Sequence, residues 1–308
     1  MSDRVLITQP IDPAGLAMLE AENLAVEVWP GPEPMPKSAL LDRVRGCAGL
    51  ISMLTDSVTA DVLEAGPLRV VAQHAVGINN IDLDAARSLG VAVAHTPGVL
   101  TEATADLTMA LILGAARRIL ESDRLVRSGQ WVGWSPTLMR GMELNGAVLG
   151  IVGMGRIGAA VARRAEAFGM QVIHHNRSSG MPLQTVLETS DVLTLHCPLT
   201  PETHHLIDAA ALARMKPGAI LINTARGPVV DESALVDALD RGHLGGAGLD
   251  VFEQEPVVHP GLLRSERAIL LPHIGSATVA TRRKMGEMVA SDLIRGLTGQ
   301  PLEHGVSN

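Results

Sequence analysis

The sequence predicts an α/β protein built from two doubly wound, parallel-sheet domains. Three observations lead there. Short β-branched runs alternate with helix-compatible stretches along most of the chain, the pattern of strands joined by crossover helices. The alternation stops once, near Thr96-Pro97-Gly98, and resumes at Ala147. A length of 308 residues, at roughly 100–200 per domain, leaves room for two such units.

In the first series, Val5 to Thr8, Ala25 to Trp29, Gly49 to Met53 and Arg69 to Ala72 read as strands, and Pro13 to Ala21, Lys37 to Val44 and Thr59 to Glu64 as helices. The Ala/Leu/Met-rich stretch from Thr101 to Leu120 has helical spacing and reads as one helix passing from one domain to the other. A polar segment with Gly129, Gly133, Pro136 and Gly141 leads to a buried strand at Ala147 to Val152. Further strands follow at Gln171 to His174, Asp191 to Leu195, Ala219 to Ile222, Gly246 to Leu249 and Ala268 to Leu271, with a helix at Asp231 to Arg241. The last helix, Thr278 to Leu297, is long enough to return to the first domain. The expected division is therefore 1–98 plus 280–308 for one domain and 99–279 for the other.

Composition removes several function classes. With 25 Lys and Arg against 33 Asp and Glu, the formal charge of −8 opposes the phosphate-driven attraction of nucleic-acid binding. Cys47 and Cys197 are too few and too distant for a disulfide framework or a Cys-x-x-Cys metal site, which fits a reducing cytoplasm. The histidines at 174, 175, 196, 204 and 205 make no helical His pair with a carboxylate, so no metal site is expected. No apolar run approaches the ~18 residues needed to span a membrane. The absence of tyrosine excludes a reductase that uses a Tyr/Lys pair as proton donor.

After the strand ending at Val152 comes Gly153-Met154-Gly155-Arg156-Ile157-Gly158, then a helix-compatible run to Phe168. Strand before and helix after are the context in which this spacing makes a Rossmann-like turn: a tight bend, a close backbone approach, and amide N–H groups aimed at a pyrophosphate. An NAD-selective protein places an acid about 20 residues further on, to hold the ribose 2′-hydroxyl. Here the next strand ends in His175-Asn176-Arg177-Ser178, and no carboxylate lies between Ala167 and Leu187. Arg177 can pair with a 2′-phosphate and Ser178 can donate to it, so NADP, as NADPH, is favoured over NADH. The competing reading makes Arg177 a solvated loop residue.

Ligands of open α/β sheets bind beyond the carboxyl ends of the strands. Asn223-Thr224-Ala225-Arg226-Gly227, Asp250 to Pro256 and Pro272-His273-Ile274-Gly275-Ser276 each follow a strand. Reduction of a keto acid needs a cation for the substrate's carboxylate and carbonyl, an imidazolium to protonate the nascent alkoxide, and a carboxylate to hold that imidazolium. Arg226, His273 and Glu255 supply the three. Each alone reads more simply as a loop salt bridge, a core histidine or a surface acid; their shared placement at successive strand ends points to a site.

The chain resembles the D-isomer-specific 2-hydroxyacid dehydrogenase family, and more closely its glyoxylate/hydroxypyruvate reductase branch. The resemblance runs from about Val5 to Leu297 and rests on His74 to Asp82, Gly98 to Asp106, the glycine turn, His196 to Thr200, Asn223 to Gly227, Gly248 to Pro256 and Leu271 to Thr278. It implies two Rossmann-like domains, the first flavodoxin-like and substrate-binding, the second nucleotide-binding, with an interdomain cleft and a homodimer built on the nucleotide domains. It implies His273 as general acid/base, Glu255 as its partner and Arg226 as substrate anchor. Val76 and Gly77 would bind the substrate carboxylate through backbone N–H groups, Thr101 and Asp250 would face the nicotinamide, and His196 and Pro198 would line the adenosine side. Thr224, Ala225 and Gly275 would join the cofactor contacts, and Leu54 and Ser276 the substrate contacts. The loop Ser52-Met53-Leu54-Thr55 carries no Arg or Lys, unlike the phosphoglycerate branch, which argues for an unphosphorylated keto acid. Trp131 and Trp134 lie where the glyoxylate/hydroxypyruvate branch uses tryptophans to close the neighbouring subunit's site, with surface packing as the competing reading for both. The expected activity is NADPH-dependent reduction of glyoxylate or hydroxypyruvate to glycolate or D-glycerate. The alternatives are a D-3-phosphoglycerate or D-lactate dehydrogenase and, from a different class, a nucleotide-sensing corepressor.

Overall fold

The structure, a computed structural model, describes residues 2–31 and 33–306. The chain divides into two compact units, Met1–Leu100 with Ser276–Asn308, and Thr101–Gly275.

The first unit runs β1 (Arg4–Ile7), α1 (Pro13–Ala21), β2 (Ala25–Val28), α2 (Lys37–Val44), β3 (Gly49–Ser52), α3 (Ala60–Glu64), β4 (Val70–Gln73), α4 (Leu83–Ser88) and β5 (Ala92–Ala94), and is completed by the C-terminal helix Val279–Leu297. Its strands are parallel, in the order β2-β1-β3-β4-β5. Strand side chains alternate between faces. Val5, Ile7, Ile51, Val70 and Ala72 therefore pack with Val289, Ala290 and Leu293 of the C-terminal helix. Leu6, Leu50 and Val71 pack on the opposite face with Leu40 and Val44 of α2 and Val62 and Leu63 of α3. Helix starts are written locally: Asp12 accepts from Ala14 N–H ahead of Pro13, Asp82 from Ala85 N–H, and Thr278 from Thr281 N–H. The helix α1 meets the C-terminal helix where two glycines oppose; a Cβ at Gly15 would lie 2.6 Å from Gly286 O.

The second unit runs α5 (Thr101–Ala116), α6 (Ile119–Arg127), β6 (Val148–Val152), α7 (Arg156–Ala167), β7 (Gln171–His175), α8 (Leu183–Thr189), β8 (Val192–Leu195), α9 (Ala209–Arg214), β9 (Ile220–Asn223), α10 (Glu232–Asp240), β10 (Gly246–Leu249), α11 (Pro260–Arg264) and β11 (Ala268–Leu270). Its strands order as β11-β10-β9-β8-β6-β7, all parallel. The chain steps from β6 to β7 on one side and then crosses to β8 on the other. The gap between the β6 and β8 ends is thus the topological switch point at which such sheets bind ligands.

One expected helix is two. The stretch from Thr101 to Leu120 breaks after Ala116, and Arg118 adopts the left-handed backbone, φ 52°. The Ala116 carbonyl accepts from Met142 N–H at 2.8 Å instead of continuing the helical ladder, and Gly141 passes so near that a Cβ there would lie 2.1 Å from the same oxygen. Two elements of the first unit, α4 and β5, went unpredicted; three residues of β5 carry too little periodicity to read. The C-terminal segment also pairs antiparallel with β5, Val306 N–H donating to Val93 O at 2.8 Å and Gly305 bridging Ala94.

Candidate active site

The glycine turn sits at the end of β6, on the switch point. Gly153, φ 99°, packs directly on the segment after β8: a Cβ there would lie 2.5 Å from Cys197 N and 2.6 Å from the His196 carbonyl carbon. A Cβ at Gly158 would lie 2.3 Å from Gly153 O, whereas one at Gly155 would meet nothing within 4 Å. Gly155 caps α7 without a side-chain bond. Among the described residues no group accepts from the N–H of Gly155, Arg156, Ile157 or Gly158. Unused amides at a helix N-terminus beside an open glycine fit a pyrophosphate, so the residues present suit a dinucleotide.

Around this turn, Asn176 Oδ1 accepts from Met154 N–H at 2.8 Å, so this side chain braces the turn. Asn176 N–H donates to Ser179 O, which makes a tight bend that leaves Arg177 and Ser178 exposed at its tip. Arg177 exerts its charge on Glu202 of the loop after β8, helping to hold that carboxyl below its ordinary range behind the larger effect of a Thr200 hydrogen bond. His196 Nε2 lies 3.0 Å from Thr194 Oγ1. The residue as a whole is half-buried, but its Nδ1 is closed off from solvent without a partner, and burial pushes the pKa down to about 3. Pro198 is exposed beside it. Burial pushes the Cys197 thiol up to about 11, leaving it unreactive.

The adjacent strands β9, β10 and β11 end level, since Leu249 pairs with both Asn223 and Leu270. The loops that follow emerge side by side. His273 Nδ1 lies 2.8 Å from Glu255 Oε2, and Glu255 Oε1 accepts from Phe252 N–H at 3.0 Å. A carboxylate here fixes the tautomer with Nδ1 protonated, which makes Nε2 the acceptor nitrogen of the neutral ring. Burial pushes the Glu255 pKa up, but its hydrogen bond to His273, the charge of that ring, the Phe252 amide and Arg226 together hold it below the ordinary carboxylate range. Arg226 donates to Ala225 O at 2.6 Å; burial pushes its pKa down and the Glu255 charge opposes the shift. His273 itself adopts φ 54°, an uncommon backbone for histidine.

Straps hold these loops. Asn223 donates to Arg226 O and accepts from Ala225 N–H, shaping the Thr224–Ala225 bend. Gly227 lies so tightly on the next loop that a Cβ would sit 1.8 Å from the Phe252 carbonyl carbon. Glu232 and Glu253 each accept from the other's backbone N–H, at 2.8 and 2.7 Å. Asp250, expected at the nicotinamide, is buried with its two oxygens taken by the N–H groups of Ile274 and Gly275, both at 2.7 Å. It therefore secures the His273 loop. The α5 face carrying Thr101 is tied to the same loops by Thr104, which donates to Gly275 O at 3.3 Å, and by Thr108, whose hydroxyl lies 3.0 Å from that of Thr224. Thr104, Thr108, Glu232 and Glu253 were missed in the sequence. The helical 101/104/108 spacing of threonines on an apolar helix was the readable signal for two of them.

In the first unit, Leu54 follows β3 and Val76 and Gly77 follow β4, adjacent strand ends of that sheet. Asn80 ties these loops together, donating to Met53 O at 3.0 Å and to Asp56 O at 2.8 Å. Ser276 follows Gly275 directly and accepts from Thr278 N–H. Trp134 is 82% exposed, and Trp131 spends its ring N–H on Gly133 O. No group of three or more His, Cys, Asp or Glu able to hold a metal occurs among the described residues. No helix of these residues is long and apolar enough to cross a membrane.

A glycine turn at the switch point of a parallel sheet, with polar loops on neighbouring strand ends, is the architecture of a dinucleotide-binding oxidoreductase. The chain belongs to the D-isomer specific 2-hydroxyacid dehydrogenase family, whose NAD binding domain matches residues 109–275. It is 48% identical to a glyoxylate reductase of Korarchaeum cryptofilum over 97% of this chain and 94% of that protein, and 46% identical to one of Thermococcus litoralis over 97% and 95%. Its structure is similar to that of the TT0316 protein of Thermus thermophilus, with TM-score 0.95 and 47% identity over 99% of this chain and 100% of that one. It is also similar to an NADPH-dependent glyoxylate/hydroxypyruvate reductase of Sinorhizobium meliloti in complex with NADP and malonate, with TM-score 0.88 and 33% identity over 100% and 97%.

Proposed function

We propose that the protein reduces a small, unphosphorylated 2-keto acid, glyoxylate or hydroxypyruvate, to the D-2-hydroxy acid with NADPH. The observation that carries this reading is the 2.8 Å contact between His273 and Glu255, with the Arg226 charge beside it, on strand ends of the sheet that bears the glycine turn. The relatives named for glyoxylate reduction support the substrate class.

In this reading Gly153 shapes the turn, the amides of Gly155 to Gly158 at the start of α7 hold the pyrophosphate, Arg177 and Ser178 take a 2′-phosphate, and His196 and Pro198 line the adenosine. Thr101, Asp250, Thr224, Ala225 and Gly275 flank the nicotinamide, Asp250 also securing the His273 loop. The bound cofactor, when reduced, supplies hydride to the keto carbon. Arg226 polarises the substrate's carbonyl and anchors its carboxylate, together with the N–H groups of Val76 and Gly77. His273 Nε2 gives its proton to the carbonyl oxygen, and Glu255 steadies the ring while it carries charge. Leu54 and Ser276 complete the substrate contacts. The 1–98 plus 280–308 segment serves as the substrate domain and 99–279 as the nucleotide domain. The exposed apolar side chains of Ile119, Leu120, Val126, Val132 and Trp134 support a homodimer, with Trp134 contributing to the neighbouring copy.

Steady-state kinetics with glyoxylate, hydroxypyruvate, pyruvate and phosphohydroxypyruvate against NADPH and NADH test the assignment. The expected result is turnover of the first two with NADPH, and a fall of about 10²- to 10⁴-fold in kcat for His273→Ala with NADPH affinity kept. Wild-type turnover in that variant, or a preference for phosphohydroxypyruvate, refutes it.

A further inference from the structure

Three successive carbonyls of the loop after β4 are occupied. Ala75 O accepts from Thr96 N–H at 3.0 Å, Val76 O lies 2.9 Å from His95 Nδ1, and Gly77 O accepts from Gln73 Nε2 at 3.3 Å. A carbonyl oxygen can only accept, so His95 must carry its proton on Nδ1. In a planar trans peptide the N–H points opposite to the preceding carbonyl. Holding Ala75 O therefore aims Val76 N–H, and holding Val76 O aims Gly77 N–H, away from the groups that do the holding. Among the described residues nothing accepts from either N–H. Successive unused amides of this kind form an anion-binding concavity.

We propose that His95 is a positioning residue: its Nδ1–H clamps the Val76–Gly77 peptide so that the Gly77 N–H, beside that of Val76, receives the carboxylate of the keto acid. This rests on the role assigned above to those two amides. The clamp is itself anchored. His95 N–H donates to His304 O at 3.2 Å, and His304 is fixed by Asp292, which is fully buried, lies 2.8 Å from His304 Nδ1 and accepts from the N–H groups of Glu303 and His304. Gln73 adds the second hold. Its Oε1 accepts from Ser52 Oγ at 2.6 Å, and its Nε2 also reaches Asn80 Oδ1 at 2.8 Å, which binds the Leu54 loop into the same frame.

The test compares wild type with His95→Phe, which keeps a ring without the donor, and His95→Gln, which returns an amide N–H. KM for glyoxylate should rise about tenfold or more in H95F, the scale of one lost hydrogen bond with its partner left unpaired. kcat should change less than threefold, NADPH affinity should stay within twofold, and H95Q should recover most of the KM. A KM in H95F equal to wild type, or a loss shared equally by kcat and NADPH binding, overturns the proposal. If H95F is recovered unfolded, His95→Ala is read by the same criteria. A wild-type protein that reduces no 2-keto acid removes the functional reading and this proposal with it; an active wild type beside an unaffected H95F removes this proposal alone.

Discussion

Two glycines three residues apart on the turn after β6 should respond in opposite ways to the same added methyl group. At Gly155 the backbone, φ −88° and ψ −160°, is open to any residue, and a Cβ meets no atom within 4 Å. Gly155→Ala should leave stability within about 1 kcal/mol of wild type, since Gly to Ala at a compatible position changes it by that much at most. The same methyl group would stand in the space through which the α7 amides reach a pyrophosphate. Losing one charge-assisted hydrogen bond, about 1.5–3 kcal/mol, weakens NADPH binding about 10- to 100-fold. At Gly158 a Cβ would lie 2.3 Å from Gly153 O and 3.2 Å from Ile151 Cγ2, both in the buried interior of the turn. Gly158→Ala should cost about 1–3 kcal/mol of overpacking, a fall of about 2–4 °C in melting temperature for each kcal/mol. Differential scanning calorimetry and NADPH fluorescence titration read both variants. Wild-type NADPH affinity in G155A, or equal thermal destabilisation of the two, would refute the claim that the open side of this turn is cofactor space.

If Arg177 takes the 2′-phosphate as proposed, Arg177→Ala should raise the Kd for NADPH about tenfold or more, the scale of one guanidinium–phosphate contact, while leaving NADH binding within twofold; equal weakening of both cofactors in the same titration would assign Arg177 to the loop alone. His74 is 6% exposed, and burial, followed by the charge of Arg282, pushes its pKa from 6.5 down to about 4. The unfolded chain takes up a proton in that interval that the native ring refuses. Stability fully present above about pH 6.5 is therefore lost progressively as pH falls towards 4, by up to about 3 kcal/mol. Urea midpoints measured between pH 7.5 and 4.5 should fall less steeply in His74→Phe, and parallel slopes would count against the assignment.

Much of the architecture was legible because parallel strands, most of them buried on both faces, read as short runs rich in apolar residues. All six strands of the second unit and four of five in the first were visible as such runs, and the helices Pro13 to Ala21 and Thr278 to Leu297 were read close to their observed bounds. What escaped depended on contacts distant in sequence. The break at Arg118 follows from a carbonyl of Ala116 claimed by Met142, and β5 is stabilised by a tail more than two hundred residues away. Within the site, the turn and the Arg226, Glu255 and His273 set were readable from residue type and strand-end position. The straps at Glu232 and Glu253, and the amide bonds by which Asp250 holds the His273 loop, were not, since the backbone amide an acid meets depends on loops distant in sequence.

The seating of Gly227 on the Phe252 carbonyl has a consequence for how this protein can diverge. A methyl group there would come within 1.8 Å of that carbonyl carbon, and the neighbouring bends are cross-linked through their main chains. The arginine-bearing and glutamate-bearing segments are thus seated main chain against main chain at this one point. Change at position 227 should therefore be barred even where the residues around it vary, because any side chain there would force the two segments apart.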